Sequence, residues 1–295
     1  MKKSCLIPIL CLVLSLLAAC GRQDAPAQIA ATTLPVYEFT SRLTDGTDIT
    51  VTRLVTEEVS CLHDYSLNMR QVKAAEAAEH IVISGAGLEE FLDDLLLNAS
   101  ILDASAGIPL LFPEEEAEEE HDHDHHGHHH ESDPHIWLSP VNAAIMAENI
   151  CSGLSECYPQ HEETFRSNLA VLIKELDALY LYGTERLDAL SCRDLITFHD
   201  GFGYFAEAFD LHILEAVEEE SGSEASAKEL IHLIEEVEHH NLPAIFTEKS
   251  GSVSAASILV RETGCGSYTL DMAMTGQSYF DAMYHNIDTI MEALG

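Results

Sequence analysis

Short apolar runs alternate with amphipathic helical segments in the first half of this chain. Residues 29–33 and 50–55 have the length and composition of strands, and the run IVIS at 81–84 is typical of a strand buried on both faces. Residues 67–79 carry apolar side chains at helical spacing, and the segment after the third strand predicts another helix to about Leu97. Strands that alternate with helices predict a parallel sheet covered by helices on both sides.

A long stretch without proline separates the two halves of the chain. The sequence predicts a helix over 140–154 and a break at Tyr158-Pro159. Apolar residues then recur at helical spacing over 161–190, which predicts a single helix. Such a helix would be roughly 45 Å long, enough to run the length of the molecule.

The alternation of strands and helices resumes beyond this long helix. Strands are predicted at 195–198, 213–217, 244–247 and 267–270, and helices at 203–209, 225–239, 254–263 and 279–294. The predicted fold class is therefore α/β. It has two lobes, each with a mostly parallel sheet flanked by helices, joined by one long rigid helix.

The N-terminus has the pattern of a secretory signal. Lys2 and Lys3 precede an apolar stretch that is too short to span a bilayer. It ends in LAACG at 17–21, which resembles the lipobox of bacterial lipoproteins and predicts cleavage before Cys20 and lipid attachment there. The predicted organisation is a signal peptide at 1–19, a lipidated tether at 20–28, a first lobe at 29–157, a linking helix at 158–190 and a second lobe at 191–295. We expect a protein on the extracytoplasmic face of the cell membrane, held there by lipid only.

The charge balance excludes one large class of partners. The chain has 51 acidic residues against 14 Lys and Arg, a formal net charge of −37. Such a surface repels nucleic acid and attracts cations.

The tract EEEAEEEHDHDHHGHHH at 114–130 points to one kind of cation. Its seven histidines are His121, His123, His125, His126, His128, His129 and His130. Imidazole is a common ligand for Zn²⁺, and the neighbouring carboxylates add a field that concentrates cations. Apart from Ala117 the tract has no apolar residue, so the sequence predicts a solvent loop over 114–131 that binds a transition metal.

Four further candidate ligands stand near the ends of predicted strands. They are His63 in LHDYSL, His135 in DPHIWLSP, His199 in LITFHDGFGYF and Asp271 in SYTLD. The carboxyl ends of strands in open α/β sheets converge on the ligand crevice, and three imidazoles with one carboxylate suit tetrahedral Zn²⁺. Asp64 and Asp200 follow two of these histidines, as helix caps or as acceptors for an imidazole N–H.

These motifs give the chain a strong resemblance to a known family. With HDYSL, DPHIWLSP, FHDGFGYF, FTEKS at 246–250 and the long central helix, it resembles the metal-binding lipoproteins of ABC transporters for zinc and manganese. The resemblance implies a monomer without enzymatic activity that binds one ion at the lobe interface. It implies His63 and His135 as ligands from the first lobe, and His199 and Asp271 from the second. It also implies delivery to a membrane permease with a cytoplasmic ATPase.

The resemblance favours Zn²⁺ over Mn²⁺ as the ion. Manganese members usually carry Glu where this chain has His199, and a third imidazole suits the softer zinc ion. Two positions depart from the family pattern. Leu62 replaces a Glu that some zinc relatives place before the first histidine, and Met272 replaces a Pro that often follows the last acid. Asp271 and water are therefore alternatives for the fourth position.

Other functions stay open at this point. A manganese carrier and a surface adhesin with a bound metal are alternatives. A secreted zinc hydrolase is a further one, although HEETF at 161–165 lacks the second histidine of His-Glu-x-x-His. The string GFGYFA at 201–206 is formally a dinucleotide-binding fingerprint, but its aromatic residues crowd the place where pyrophosphate must approach.

Cysteine usage fits an oxidising compartment without fixing a pairing. Five cysteines follow the lipid site: Cys61, Cys151, Cys157, Cys192 and Cys265. An odd number leaves at least one thiol free or in an intermolecular bond. Cys192 and Cys265 each precede a predicted strand of the second lobe, and we expect a disulfide between them.

Overall fold

The structure is a computed structural model. It describes residues 27–59, 62, 65–92, 99–112, 132–217, 226–249 and 254–295. The predictions for Cys20, Cys61, His63, Asp64 and the histidine tract at 121–130 concern residues outside these ranges. Among the described residues, no helix combines the length and the apolar character that crossing a membrane requires.

The first lobe is built on a four-stranded parallel sheet. Its strands are β1 (Ile29–Ala31), β2 (Val51–Arg53), β3 (His80–Ile83) and β4 (Ser100–Asp103), in the order β2-β1-β3-β4. In the described part of this lobe, α1 (Leu34–Leu43) and α2 (Met69–Ala77) accompany the strands. α2 begins at a capping box in which the side chains of Asn68 and Gln71 each bond the other residue's backbone N–H. Where the sequence predicted a helix to Leu97, the described residues contain a 3-10 turn at Glu90–Leu92.

Two helices pack together and carry the chain to the second lobe. α3 (Pro140–Cys157) starts with Ser139 as its N-cap, and α4 (Glu162–Leu187) follows a 3-10 turn at Pro159–His161. α4 has 26 residues and is about 39 Å long. Position 183 within α4 is a glycine, and a β-carbon there would overlap the ring of Phe209.

The second lobe repeats the architecture of the first. Its parallel strands are β5 (Asp194–Thr197), β6 (His212–Ala216), β7 (Ala244–Glu248) and β8 (Gly266–Leu270), in the order β6-β5-β7-β8. Its helices are α5 (Gly203–Ala208), α6 (Ala227–His240), α7 (Ser254–Thr263) and α8 (Tyr279–Leu294). The predicted fold class, two α/β lobes joined by a long helix, is confirmed.

The segment after β8 ties the two lobes together. The carbonyl of Met274 accepts a 3.0 Å hydrogen bond from the backbone N–H of Leu34. The carbonyl of Gly276 accepts a 2.9 Å bond from Nη1 of Arg53. One apolar cluster includes buried residues of both lobes, so the lobes share a core as well as these bonds.

The expected disulfide in the second lobe is wrong. Cys192 and Cys265 are both free thiols, one partly buried and one buried. They precede β5 and β8, and β7 lies between these strands. Two strand spacings separate their backbones by roughly 10 Å, beyond the ~7 Å Cα separation that a disulfide can bridge.

Candidate metal site

His135 is held in one orientation by a nearby carboxylate. It directly precedes a 3-10 turn at Ile136–Leu138, and only 3% of its surface is exposed. Oδ1 of Asp133 accepts hydrogen bonds from the backbone N–H of His135 at 2.9 Å and from its ring Nδ1 at 2.7 Å. The proton of the imidazole therefore sits on Nδ1, and Nε2 has a lone pair available for a metal.

His199 has a carboxylate behind it as well. It follows β5, and its Nδ1 lies 3.5 Å from Oε2 of Glu248 at the end of the adjacent strand β7. Glu248 is only 7% exposed, and burial raises the pKa of its carboxyl to about 7. Its Oε2 is buried and makes no hydrogen bond to any residue in the described part of the chain. β5 and β7 flank the point where the strand order reverses, the usual ligand position in an open α/β sheet.

The two imidazoles meet across the lobe interface. Nε2 of His135 and Nε2 of His199 are 3.3 Å apart, and the rings stand nearly perpendicular with centroids 5.1 Å apart. Two nitrogen ligands at 2.0–2.1 Å from one tetrahedral zinc ion are separated by about 3.3–3.4 Å. The separation of the two Nε2 atoms therefore matches that of two nitrogen ligands on one zinc ion.

Gly201 allows the second lobe to approach this pair closely. A β-carbon at Gly201 would lie 2.7 Å from Cδ2 of His199, 2.9 Å from Cε1 of His135 and 2.7 Å from the terminal methyl of Met272. A side chain there would push the imidazoles apart. The glycines of GFGYFA therefore face the histidines and the carboxylate of Asp133, and do not cradle a pyrophosphate.

Asp271 lies after β8, close to the interface. Its Oδ1 accepts a 2.8 Å hydrogen bond from the backbone N–H of Ala273, and its Oδ2 is 3.9 Å from Nζ of Lys249. Among the described residues, no three His, Cys, Asp or Glu side chains form a group that could hold a metal ion. Of the four predicted ligands, the structure brings His135 and His199 together, does not group Asp271 with them, and does not describe His63.

Asp133 and Glu248 were not predicted as partners of the imidazoles, although the sequence position of each residue indicates such a role. Asp133 stands two residues before His135, a spacing at which an Asp side chain readily reaches the backbone and ring of the later residue. Glu248 is the last residue of the buried strand β7, just as His199 comes shortly after the buried strand β5.

Two α/β lobes that face each other over a pair of imidazoles define a two-lobed metal-binding protein of the solute-binding class. The chain belongs to the ZnuA family, described as "Zinc-uptake complex component A periplasmic", whose model matches residues 29–293. This is a family of transport proteins that bind a substrate, which confirms the prediction that the chain is not an enzyme.

Named relatives point the same way. The chain is 30% identical to a "Putative metal-binding protein" of Treponema pallidum, over 99% of this chain and 97% of the relative. It is 31% identical to "Zinc-binding lipoprotein AdcA" of Streptococcus pneumoniae, over 99% of this chain but only 61% of AdcA. The fold is similar to the Zn(II)-bound ZnuA-like domain of that AdcA, with a TM-score of 0.75 and 26% identity over 91% of this chain and 98% of the domain.

Proposed function

We propose that this protein captures Zn²⁺ outside the cytoplasm and delivers it to an ABC-type permease for uptake. The 3.3 Å contact between the Nε2 atoms of His135 and His199 is the observation that carries the proposal. Nε2 of His135 presents a lone pair to Nε2 of His199, and two nitrogens at this distance need either an N–H or a cation between them. The partly buried carboxylate of Asp133 and the buried carboxyl of Glu248 lie behind the rings, where they can accept an imidazole N–H and so orient each ring toward a cation.

His63 and Asp271 are our candidates for the remaining ligands. His63 follows Leu62, which is buried in the first lobe, and Asp271 precedes Met272, whose terminal methyl lies against the same face of Gly201 as the two imidazoles. Water is the alternative to Asp271. Four-coordinate ligation without an open position favours tight binding over hydrolysis, as a carrier requires.

Delivery and attachment rest on the family and the N-terminal sequence. The family description names a zinc-uptake complex, so we propose a membrane permease and its cytoplasmic ATPase as partners. Attachment would be by lipid on Cys20, as the name of the AdcA relative suggests. The histidine tract would bind zinc weakly and raise its concentration near the interface.

Titration of the demetallated protein tests the proposal. Zinc is added in competition with a chelator, so that only the tight site is measured. Loss of a group that hydrogen-bonds to a metal ligand typically lowers metal affinity by roughly 10–100-fold. His135→Ala and His199→Ala remove the ligands themselves, so each should lower zinc affinity by more than that. His232→Ala is the matched control, because His232 pairs with Glu215 on the surface, 3.0 Å away. Wild-type affinity in both site variants would contradict the proposal. Loss of growth in zinc-depleted medium on gene deletion tests the transport step.

A further inference from the structure

A tyrosine of the second lobe holds two separate segments of the first lobe. The hydroxyl of Tyr204, in α5, accepts a 2.9 Å hydrogen bond from the backbone N–H of Leu111. The same hydroxyl donates a 3.1 Å bond to the backbone carbonyl of Asp133. Leu111 and Asp133 also bond each other, because the N–H of Asp133 donates to the carbonyl of Leu111 at 2.9 Å. One phenol oxygen therefore fixes the backbone of Leu111 and the backbone of Asp133 relative to each other.

This contact continues directly to the metal site. Asp133, whose backbone Tyr204 holds, is the residue whose carboxylate bonds Nδ1 of His135 at 2.7 Å. The start of α5 packs on that carboxylate from the other side. A β-carbon at Gly203 would lie 3.0 Å from Oδ2 of Asp133 and 3.3 Å from a methyl of Leu111. The carboxylate is thus confined between α5 and the ring that it orients.

Tyr204 is suited to a fixed role of this kind. It is 1% exposed, so its ring cannot turn without disturbing the core. Burial raises the pKa of its phenol, so the hydroxyl keeps its proton and can donate to Asp133 while accepting from Leu111.

We propose that Tyr204 is a positioning residue for the metal site. By holding the backbone of Asp133, it fixes the position of the carboxylate that orients His135. A residue of the second lobe, which carries His199, thereby positions a candidate ligand of the first lobe. This inference rests on the proposed zinc-binding function. Loss of the hydroxyl should weaken zinc binding about tenfold, the lower end of the range for groups hydrogen-bonded to metal ligands.

A double-mutant cycle tests the route through Asp133. Tyr204→Phe keeps the ring and removes both hydrogen bonds, and Asp133→Ala removes the carboxylate and keeps the backbone carbonyl. Zinc affinity should fall about tenfold in Tyr204→Phe and by 10–100-fold in Asp133→Ala. The double variant should bind like Asp133→Ala alone. If the double variant instead binds zinc about tenfold more weakly than Asp133→Ala, the proposal is overturned, because Tyr204 would then act by general destabilisation. Unchanged affinity in Tyr204→Phe would also overturn it.

Tyr158→Phe is the matched control. Tyr158 is 9% exposed and its hydroxyl bonds Glu79 at 3.1 Å, in a part of the first lobe away from the imidazoles. This variant should keep wild-type zinc affinity even where its melting temperature falls. Melting of each metal-free variant separates loss of fold from loss of affinity.

A second measurement uses the unmodified protein. Coupling between two sites is reciprocal, so zinc should tighten the contact that supports it. The amide protons of Leu111 and Asp133 should exchange more slowly with zinc bound than without. If the exchange is unchanged although the protein binds zinc, the proposed role of Tyr204 is overturned and the proposed zinc-binding function is not. A wild-type protein that binds no zinc instead overturns the proposed function.

Discussion

The indole nitrogen of Trp137 donates a 2.8 Å hydrogen bond to the backbone carbonyl of Met272 across the lobe interface. Trp137 stands two residues after His135, and Met272 follows Asp271. The carbonyl of Trp137 accepts a further 2.8 Å bond from the hydroxyl of Tyr279 in α8. All three side chains are buried, so these contacts fix the spacing between the segments that carry the candidate ligands of the two lobes.

Replacing Trp137 with Phe should lower the free energy of unfolding by about 2–4 kcal/mol. The change removes volume from a core position and leaves the buried carbonyl of Met272 without its donor. Urea unfolding of the metal-free protein measures the effect. Tyr279→Phe, which removes only a hydroxyl, should cost about 1 kcal/mol. A loss below 1 kcal/mol for Trp137→Phe would show that the interface does not depend on this bond.

Replacing Glu248 with Gln should weaken zinc binding about tenfold. The substitution keeps the shape of the side chain and replaces the carboxyl 3.5 Å from Nδ1 of His199 with an amide, which is a weaker acceptor for the ring N–H. Glu236→Gln is the control, because Glu236 lies 3.5 Å from His240 in the same kind of pair on the surface. Competition titration should show wild-type affinity for Glu236→Gln. Equal effects of the two substitutions would refute a local role for Glu248.

Much of the fold follows from local pattern. The helices at 254–263 and 279–294 begin and end where the sequence predicts, because each carries an apolar face bounded by polar residues or glycine. The short edge strand β4 escaped prediction, since its side chains are largely exposed and show no buried run. α1 also escaped, because the run LPVYEF does not distinguish a strand from a helix.

The sequence predicted candidate ligands of the site but not the contacts that position them. His199 was identified because a histidine at the carboxyl end of a strand lies where ligands bind, and His135 because of its place in the motif DPHIWLSP. The contacts of Asp133, Glu248 and Tyr204 depend on how loops fold across the interface. Tyr204 reads as an ordinary core residue of an amphipathic helix, and no spacing in the sequence indicates that its hydroxyl reaches Asp133.

The buried carboxyl of Glu89 should make stability depend on pH. Burial raises its pKa to about 7, despite hydrogen bonds from Thr32, Ser84 and Gly85. The folded state therefore binds more protons than the unfolded state between about pH 4.5 and 7, and the contribution of this group to stability falls as pH rises through that window. We expect a loss of about 3 kcal/mol, measured by denaturation of the metal-free protein. Glu89→Gln should flatten the profile, and an unchanged slope would contradict this assignment.

Deleting residues 114–131 should leave the tight zinc site intact. The backbones of Leu111 and Asp133 bond each other at 2.9 Å, so a short Gly-Ser linker can close the gap. The variant should lose weak zinc binding and keep a single tight site in a competition titration. A deletion variant that binds no zinc, yet melts like the wild type, would place the tight site in the histidine tract.

Replacing His199 with Glu should shift selectivity from zinc toward manganese. Imidazole suits the borderline-soft zinc ion, whereas carboxylate oxygen suits Mn²⁺. The new carboxylate would also stand beside the carboxyl of Glu248, and oxygen donors favour a hard cation over a softer one. The ratio of zinc to manganese affinity should fall at least about tenfold in parallel titrations, a change of about 1.4 kcal/mol in relative binding free energy. His232→Glu introduces the same group on the surface and should leave the ratio unchanged. If the ratio stays constant in His199→Glu as well, ligand softness does not set the selectivity of this protein, and the shape of the interface between the lobes must do so.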